Sequence, residues 1–297
     1  MFRITAFTAR LAELSIRSKK MSETAIPEKM QAVVCHGPED YRLEEVPVPV
    51  PAPGQALVRV EAVGICASDL KCYHGAAKFW GDDNRAAWAE TEVIPGHEFV
   101  GEIVVIDDEA SVRWNVAVGD RVVSEQIVPC WNCRYCLRGQ YHMCAPHDLY
   151  GFKRRPPGAM ATYMVYPAEA PVHKVSKEIP PAHAAFAEPL SCSLHAVERA
   201  GITFDDVVVV AGCGPIGLGM IAGARAKSPA HVIALDLQPD KLELARKCGA
   251  DIVIDIGKED AEKIVKDLTG GYGADVYLEG TGHPSAVPQG LNLLRKL

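Results

Sequence analysis

Cys130, Cys133, Cys136 and Cys144 stand inside one stretch, PCWNCRYCLRGQYHMC, spaced CxxCxxC with a seven-residue gap before the last thiol. Four thiolates complete a tetrahedral shell around zinc and leave no open position, so a site of this kind is structural. A turn-rich loop with few apolar residues has little core of its own and takes its order from the metal. The rival is a four-iron, four-sulfur cluster, which prefers a shorter last gap and a proline directly after the final cysteine. Here Ala145 follows Cys144, and the spacing favours zinc. Cys35, Cys72, Cys192, Cys213 and Cys248 are scattered singly, with no secretory signal before them. This usage predicts a reducing, cytoplasmic setting in which metal holds the cluster.

The 297 residues are enough for two domains. A net charge of −7 does not suggest the concentrated basic surface that nucleic acid or an anionic membrane would require, so neither is expected as a partner. The two halves have different grammar. QAVVCHG, QALVRVEAVGIC, VGEIVVIDD and DRVVSEQIV are β-like runs punctuated by turn residues. VVVVAG, HVIALD, DIVID and ADVYLEG are apolar on both faces and alternate with helical stretches, notably PIGLGMIAGARAK and PDKLELARKCGA. The expected fold class is therefore α/β with an all-β-rich part: a β-rich domain over 22–200, then a doubly wound parallel sheet over 201–297. PLSCSLHAVERAGI is expected to be the connecting helix. The apolar run VVVVAGCGPIGLGMIAGA has the length of a membrane span, but its glycines and proline predict strand, tight turn and buried helix. Residues 1–21 form a basic N-terminal extension, read as an upstream start codon or, second, a targeting-like leader.

Away from the thiol cluster, GICASDLKCYHG and PGHEFVG offer Cys66, then His97 beside Glu98, with Glu188 later in FAEPLSCSLHA. A catalytic zinc takes three protein ligands of mixed type and keeps one position free. Cys66, His97 and one or both glutamates can supply them, and Asp69 can orient the imidazole. Each residue alone is ordinary: a buried thiol, a turn histidine, surface acids. In VVVVAGCGPIGLG, Gly212, Gly214 and Gly217 fit GxGxxG at a strand-to-helix turn, where glycines admit a pyrophosphate to the helix N-terminus. Asp236 ends the next strand and suits a ribose; Leu237 and Gln238 bring no cation for a 2′-phosphate, so NAD is expected over NADP.

The order GICxSD, GHE, CxxCxxCx7C, AEPL and GCGPIG, from about residue 30 to the last residue, resembles the zinc-dependent medium-chain alcohol dehydrogenases. The resemblance implies a GroES-like catalytic domain joined to a Rossmann domain. It implies a catalytic zinc at Cys66, His97, Glu98 and Glu188, and a structural zinc at the four clustered cysteines. Ile216 would touch the nucleotide and Lys241 would lie near its ribose. In such enzymes zinc acidifies an alcohol hydroxyl and the nicotinamide accepts the hydride. Ser68 resembles the hydroxyl that opens the proton relay, while Lys71 stands where the family has a histidine; Lys71, Tyr73 or His74 would continue the relay.

Glu188, SDLKCYHGAAKFWGDDNR and PHDLYGFKRR are similar to the polyol branch typified by sorbitol dehydrogenase, and most to enzymes of the four-carbon sugar alcohols erythritol and L-threitol. The resemblance implies a small polyol substrate and a homodimer or homotetramer for the full-length form. Sorbitol, butanediol or threonine are alternative substrates. A non-catalytic zinc-binding scaffold and an iron–sulfur carrier are alternative classes. KFWGDDNRAAWAETEV is expected to narrow the pocket with Phe79, Trp80 and Trp88. The second half holds four strands before LNLLRKL, a helical pattern with no cap, so the dinucleotide domain is expected to be truncated.

Overall fold

A computed structural model describes residues 26–296; the extension expected over residues 1–21 lies outside them. The first half begins with an antiparallel hairpin, β1 (Lys29–Gly37) and β2 (Asp40–Pro47). Its body is a five-stranded antiparallel sheet built from β3 (Ala56–Gly64), β4 (Glu98–Ile106), β5 (Arg121–Ser124), β8 (Tyr163–Tyr166) and β9 (Val172–Lys174), ordered β8-β3-β4-β5-β9. Val58, Phe99, Ile103, Val122 and Tyr166 from the sheet form one core with Tyr150, which follows β7. The small ladder of β6 (Ile127–Val128) on β7 (Asp148–Leu149) ties together the two ends of the cysteine segment. VGEIVVIDD is strand only to Ile106. Asp107 accepts from the Ala110 N–H and caps a short helix over Asp108–Trp114, as an N-terminal carboxylate does.

Of the next three helices, the first and the last carry site residues. The first, α1 (Ala67–Tyr73), follows β3. Next in the chain, Ala77–Trp80 forms a single turn, α2. The connecting helix, α3 (Ala187–Ala200), stops at Gly201 in the left-handed conformation (φ 63°), a common helix ending because glycine has no Cβ to clash.

The second half is a parallel sheet of β10 (Val207–Ala211), β11 (His231–Asp236), β12 (Ile252–Asp255) and β13 (Val276–Glu279), ordered β12-β11-β10-β13. Relabelled within this half, the order is 3-2-1-4, as in the dinucleotide-binding sheet. Alternate residues of β10 feed different cores. Val208 and Val210 join Ile221 and Ala234, whereas Val207 and Val209 join Ile233, Leu235 and Ile254. Helices α4 (Pro215–Ala226), α5 (Pro239–Lys247), α6 (Ala261–Leu268) and α7 (Ala286–Leu293) alternate with or follow the strands. LNLLRKL is not helical throughout: Leu294 turns extended and bridges Ala274. There the Ala274 N–H donates to the Leu293 carbonyl, the Arg295 N–H donates to the Ala274 carbonyl, and the Arg295 guanidinium meets Asp275. Backbone pairing on both sides of Leu294 outcompetes the helical pattern. Among the described residues no helix is long and apolar enough to cross a membrane, and VVVVAGCGPIGLGMIAGA folds as the expected strand, turn and helix.

Candidate metal centres and dinucleotide site

The sulfurs of Cys130, Cys133, Cys136 and Cys144 all lie within 4.8 Å of one another. Cys133 and Cys136 Sγ are 3.6 Å apart; tetrahedral zinc–sulfur bonds of ~2.3 Å place sulfurs about 3.8 Å apart. A shell this tight suits a single ion, whereas a four-iron cube would spread its thiolates. Backbone N–H groups already point at sulfur, Cys130 N to Cys144 Sγ at 3.2 Å and Ala145 N to Cys133 Sγ at 3.5 Å. The backbone N–H groups of Cys136 and Ala145 pull the Cys133 thiol down to about 6. Burial and the neighbouring thiols push Cys136 up to about 12. Crowded thiols that resist joint ionisation are the donor set a dication stabilises.

The second cluster forms because β3 and β4 are neighbours in register, with Gly64 opposite Glu98. Cys66, two residues beyond Gly64, therefore meets His97, one residue before Glu98. A Cβ at Gly64 would collide with the Glu98 carboxylate. The donor atoms of Cys66, His97 and Glu98 lie within 4.8 Å of one another. Asp69 serves two neighbours. Its Oδ2 accepts from the Cys66 N–H at 2.8 Å, capping α1, while Oδ1 lies 3.3 Å from His97 Nδ1. Both side chains are almost wholly buried, and neither Oδ1 nor Nδ1 completes an aligned hydrogen bond. Burial disfavours the charged imidazole, but Asp69 and Cys66 outweigh it and push His97 up to about 10. The cradle thus favours positive charge beside a thiol, an imidazole and a carboxylate, which fits a zinc ion.

Glu188, in the first turn of α3, sits nearby but outside that tight group. Burial raises its carboxyl, His97 opposes the rise, and its Oε1 accepts from Cys192 Sγ at 3.5 Å. Ser68 Oγ lies 3.4 Å from His97 Nε2. Lys71 is exposed on α1, Tyr73 packs edge-on to Tyr41, and His74 faces Glu39 at 3.7 Å. The structure therefore joins Ser68 to the cluster and leaves Lys71 on the surface of its helix.

Beside Glu188 opens a cleft of about 800 Å³ whose walls include Glu125, Tyr141, His142, Cys192 and His195. Phe79, Trp80 and Trp88 do not line it, which corrects the expectation for their loop. Phe79 is buried and stacks on Phe152 at 5.2 Å, Trp88 packs on both, and Trp80 Nε1 donates to the Cys72 carbonyl. The rings bury more apolar surface by stacking on one another beneath the loop than by facing an open cleft. Phe152 then contacts His97 at 5.3 Å, a neighbour the sequence reading missed. Cys192 was also missed, although its i, i+4 spacing from Glu188 on a helix was a usable signal.

The glycines of the dinucleotide turn have separate tasks. Gly212 has φ +88°, and a Cβ there would sit 2.9 Å from Thr281 Cγ2; a Cβ on Gly217 would collide with the Gly212 carbonyl. At Gly214 a Cβ would meet nothing within 4 Å, leaving room for a ligand at the N-terminus of α4, where Ile216 is exposed. Asp236 Oδ2 accepts from the Cys213 N–H at 2.7 Å and Oδ1 from the Leu237 and Gln238 N–H groups. Lys241 is partly buried in the first turn of α5, and its charge reaches the Cys213 thiol of this turn. The turn lies at the C-terminal ends of β10 and β13, sheet neighbours that are far apart in sequence, where such sheets bind ligands. The open Gly214 cradle fits a pyrophosphate.

A GroES-like β body with two metal-donor clusters, joined to a dinucleotide-type sheet, defines a zinc-binding oxidoreductase. Residues 52–177 match the alcohol dehydrogenase GroES-like domain and residues 215–297 the zinc-binding dehydrogenase family. The chain belongs to the zinc-dependent medium-chain alcohol dehydrogenases. It is 82% identical to an erythritol/L-threitol dehydrogenase of Mycolicibacterium smegmatis over 92% of this chain and 75% of that protein. It is 39% identical to an L-threonine 3-dehydrogenase of Pyrococcus furiosus over 89% of this chain and 72% of that one. Among solved structures it resembles an alcohol dehydrogenase from Thermus sp. ATN1 with a TM-score of 0.77 and 31% identity, covering 90% of this chain and 75% of the other.

Proposed function

We propose that this protein oxidises a secondary hydroxyl of a small sugar alcohol, of the erythritol or L-threitol type, to a ketose with NAD as hydride acceptor. The observation that carries the reaction class is the convergence of Cys66, His97 and Glu98 within 4.8 Å of one another, next to Glu188 on the wall of the cleft. The 82% identity to an erythritol/L-threitol dehydrogenase supports the substrate class. Cys66, His97 and Glu98 would hold a catalytic zinc, with Glu188 within reach as a fourth donor; Cys130, Cys133, Cys136 and Cys144 would hold a structural one. Bound there, zinc and NAD supply Lewis acidity and a hydride acceptor.

The chain's own groups do the rest. The Asp69 carboxylate faces His97 Nδ1 at 3.3 Å, which leaves Nε2 toward Ser68. The Ser68 hydroxyl would take up the substrate proton as it hands its own on, and Lys71, three residues along α1, would first release a proton to water and then receive that one as the neutral amine. Glu125, Gln126, His142 and His195 on the cleft walls suit a chain of hydroxyls, and a site built to hydrogen-bond hydroxyls rejects analogues lacking them. Asp236, with no cation at Leu237 or Gln238, supports NAD over NADP; Gly212, Gly214, Ile216 and Gly217 would cradle the pyrophosphate, with Lys241 near the ribose. We further place the domain boundary at Gly201, between 22–200 and 201–297, and assign a cytoplasmic homo-oligomer. NADH formation measured across C3 to C6 polyols, L-threonine and ethanol tests the reading. Four-carbon polyols should turn over fastest. Equal rates with ethanol would overturn the substrate, and faster turnover of L-threonine would favour the amino-acid reading.

A further inference from the structure

Helix α3 touches both sites. Near its start Glu188 adjoins the Cys66–His97–Glu98 cluster. Five residues on, about 7.5 Å along the axis, Ser193 is fully buried and its Oγ donates toward the Ile216 carbonyl at 3.0 Å. Ile216 belongs to the first turn of α4, the helix that opens at Gly214. The same hydroxyl is 3.0 Å from the Pro189 carbonyl one helical turn back, so its rotamer is held from both sides. Two glycines let α3 and α4 approach this closely. A Cβ on Gly219 would lie 2.5 Å from Ser193 Oγ and 2.8 Å from Ser193 Cβ, and one on Gly223 would lie 2.9 Å from Leu194 Cδ2. Glycines four apart on one helix present a flat strip to its neighbour.

We infer that Ser193, seated on the Gly219–Gly223 strip, is a positioning residue that sets the distance between the catalytic metal cluster and the nicotinamide end of the bound dinucleotide. This rests on the dehydrogenase reading above. Asp236, which would hold the adenosine ribose, makes its hydrogen bonds to the Cys213, Leu237 and Gln238 N–H groups and not to α3, so loss of the Ser193 contact would act mainly on the end that must reach across to the other domain. A misplacement of about 1 Å between reacting atoms costs up to ~100-fold in rate, so a small shift of α4 against α3 is enough.

The test compares the wild-type protein with Ser193→Ala and, independently, Gly219→Ala. It uses ADP-ribose binding by calorimetry, zinc per chain by elemental analysis, and quenching of bound NADH fluorescence by Co²⁺ in the catalytic site. Both variants should bind ADP-ribose within about two-fold of wild type and keep their zinc. Cobalt quenching should weaken, and kcat for polyol oxidation should fall about ten-fold or more, with a larger primary deuterium isotope effect. Unchanged quenching in both variants would overturn the inference, as would a loss of ADP-ribose binding matching the loss in kcat, since Ser193 would then only build the turn. Quenching needs no substrate. Wild-type protein silent on every polyol would therefore refute the proposed reaction while the quenching still decides the role of Ser193.

Discussion

Ile127 and Leu149 face each other across a two-pair ladder, the pairing of β6 with β7, and between them hangs the whole four-cysteine segment. The neck is apolar, with Ile127 and Leu149 packing against Cys130, Cys136, Cys144 and Tyr141. Beyond it most side chains are exposed, including Trp131, Arg134, Leu137 and Arg138. The lobe is anchored at its base and has little core above.

Removing one thiol should therefore open the lobe and leave the body intact. In Cys136→Ser, trypsin should cleave after Arg134 and Arg138 at least about ten-fold faster than in the zinc-loaded wild type, because proteolysis follows the population of locally open states. One of the two zinc ions should be lost. Equal cleavage rates would show that the neck, not a metal, orders the segment.

Asp69 should govern metal retention at the other cluster. Asp69→Asn keeps an oxygen for the Cys66 N–H but removes the charge facing His97 Nδ1, and metal affinity should fall by about 10- to 100-fold, as for other partners of ligating histidines. Asp69→Ala should also uncap α1, at a further cost of about 1 kcal/mol. Competition with a chromogenic chelator measures the first effect and thermal unfolding the second. Asp69→Asn with wild-type retention would remove Asp69 from the metal's support.

The two GxGxxG positions beside the turn should separate binding from folding. Gly214→Ala adds a methyl into open space, so its unfolding midpoint should stay near wild type while NADH affinity drops about ten-fold or more where the pyrophosphate must approach. Gly217→Ala forces a Cβ onto the Gly212 carbonyl and should destabilise by about 1–3 kcal/mol, the ordinary cost of overpacking. Thermal scans with NADH titration read both. Undiminished NADH binding in Gly214→Ala would move the dinucleotide elsewhere.

The dinucleotide half was legible because its strands, buried on both faces, announce themselves in valine and isoleucine runs, and its turn is written in glycine. The thiol lobe was legible from spacing alone. Contacts made by tertiary packing were not. Nothing local in DLYGFKRR says that Phe152 will stack on Phe79 and reach His97, because that meeting depends on two segments more than seventy residues apart. The aromatic loop was misread for the same reason: its composition shows that it needs burial but not which side provides it. Ser193 looked like any small helix residue until Gly219 was seen against it. At the C-terminal end the amphipathic pattern of LNLLRKL was real, but pairing with Ala274 decided the backbone.

The last prediction concerns the cleft wall opposite α3. There Glu125 accepts from Tyr141 Oη at 2.7 Å and faces His173 Nε2 at 3.3 Å. The Glu125 carboxylate raises the His173 imidazole above its ordinary 6.5. Burial works to raise Glu125, but His173 and Tyr141 outweigh it and hold the carboxyl below its ordinary 4.5. A group raised in the folded state stabilises fully below its unfolded value and loses that contribution as pH climbs through the folded one. A lowered carboxyl behaves oppositely. The pair is thus at full strength between about pH 4.5 and 6.5 and weakens above that as His173 loses its proton. His173 is more than half exposed, so solvent screening limits the effect to under about 1 kcal/mol. Unfolding of zinc-loaded wild type and His173→Gln, compared at pH 5.5 and pH 8.5, should show the variant less stable at the lower pH and level with wild type at the higher, with 0.5 M salt shrinking the difference. A gap of equal size at both pH values would mean that His173 contributes by packing, since only a titrating charge gives the gap this pH dependence.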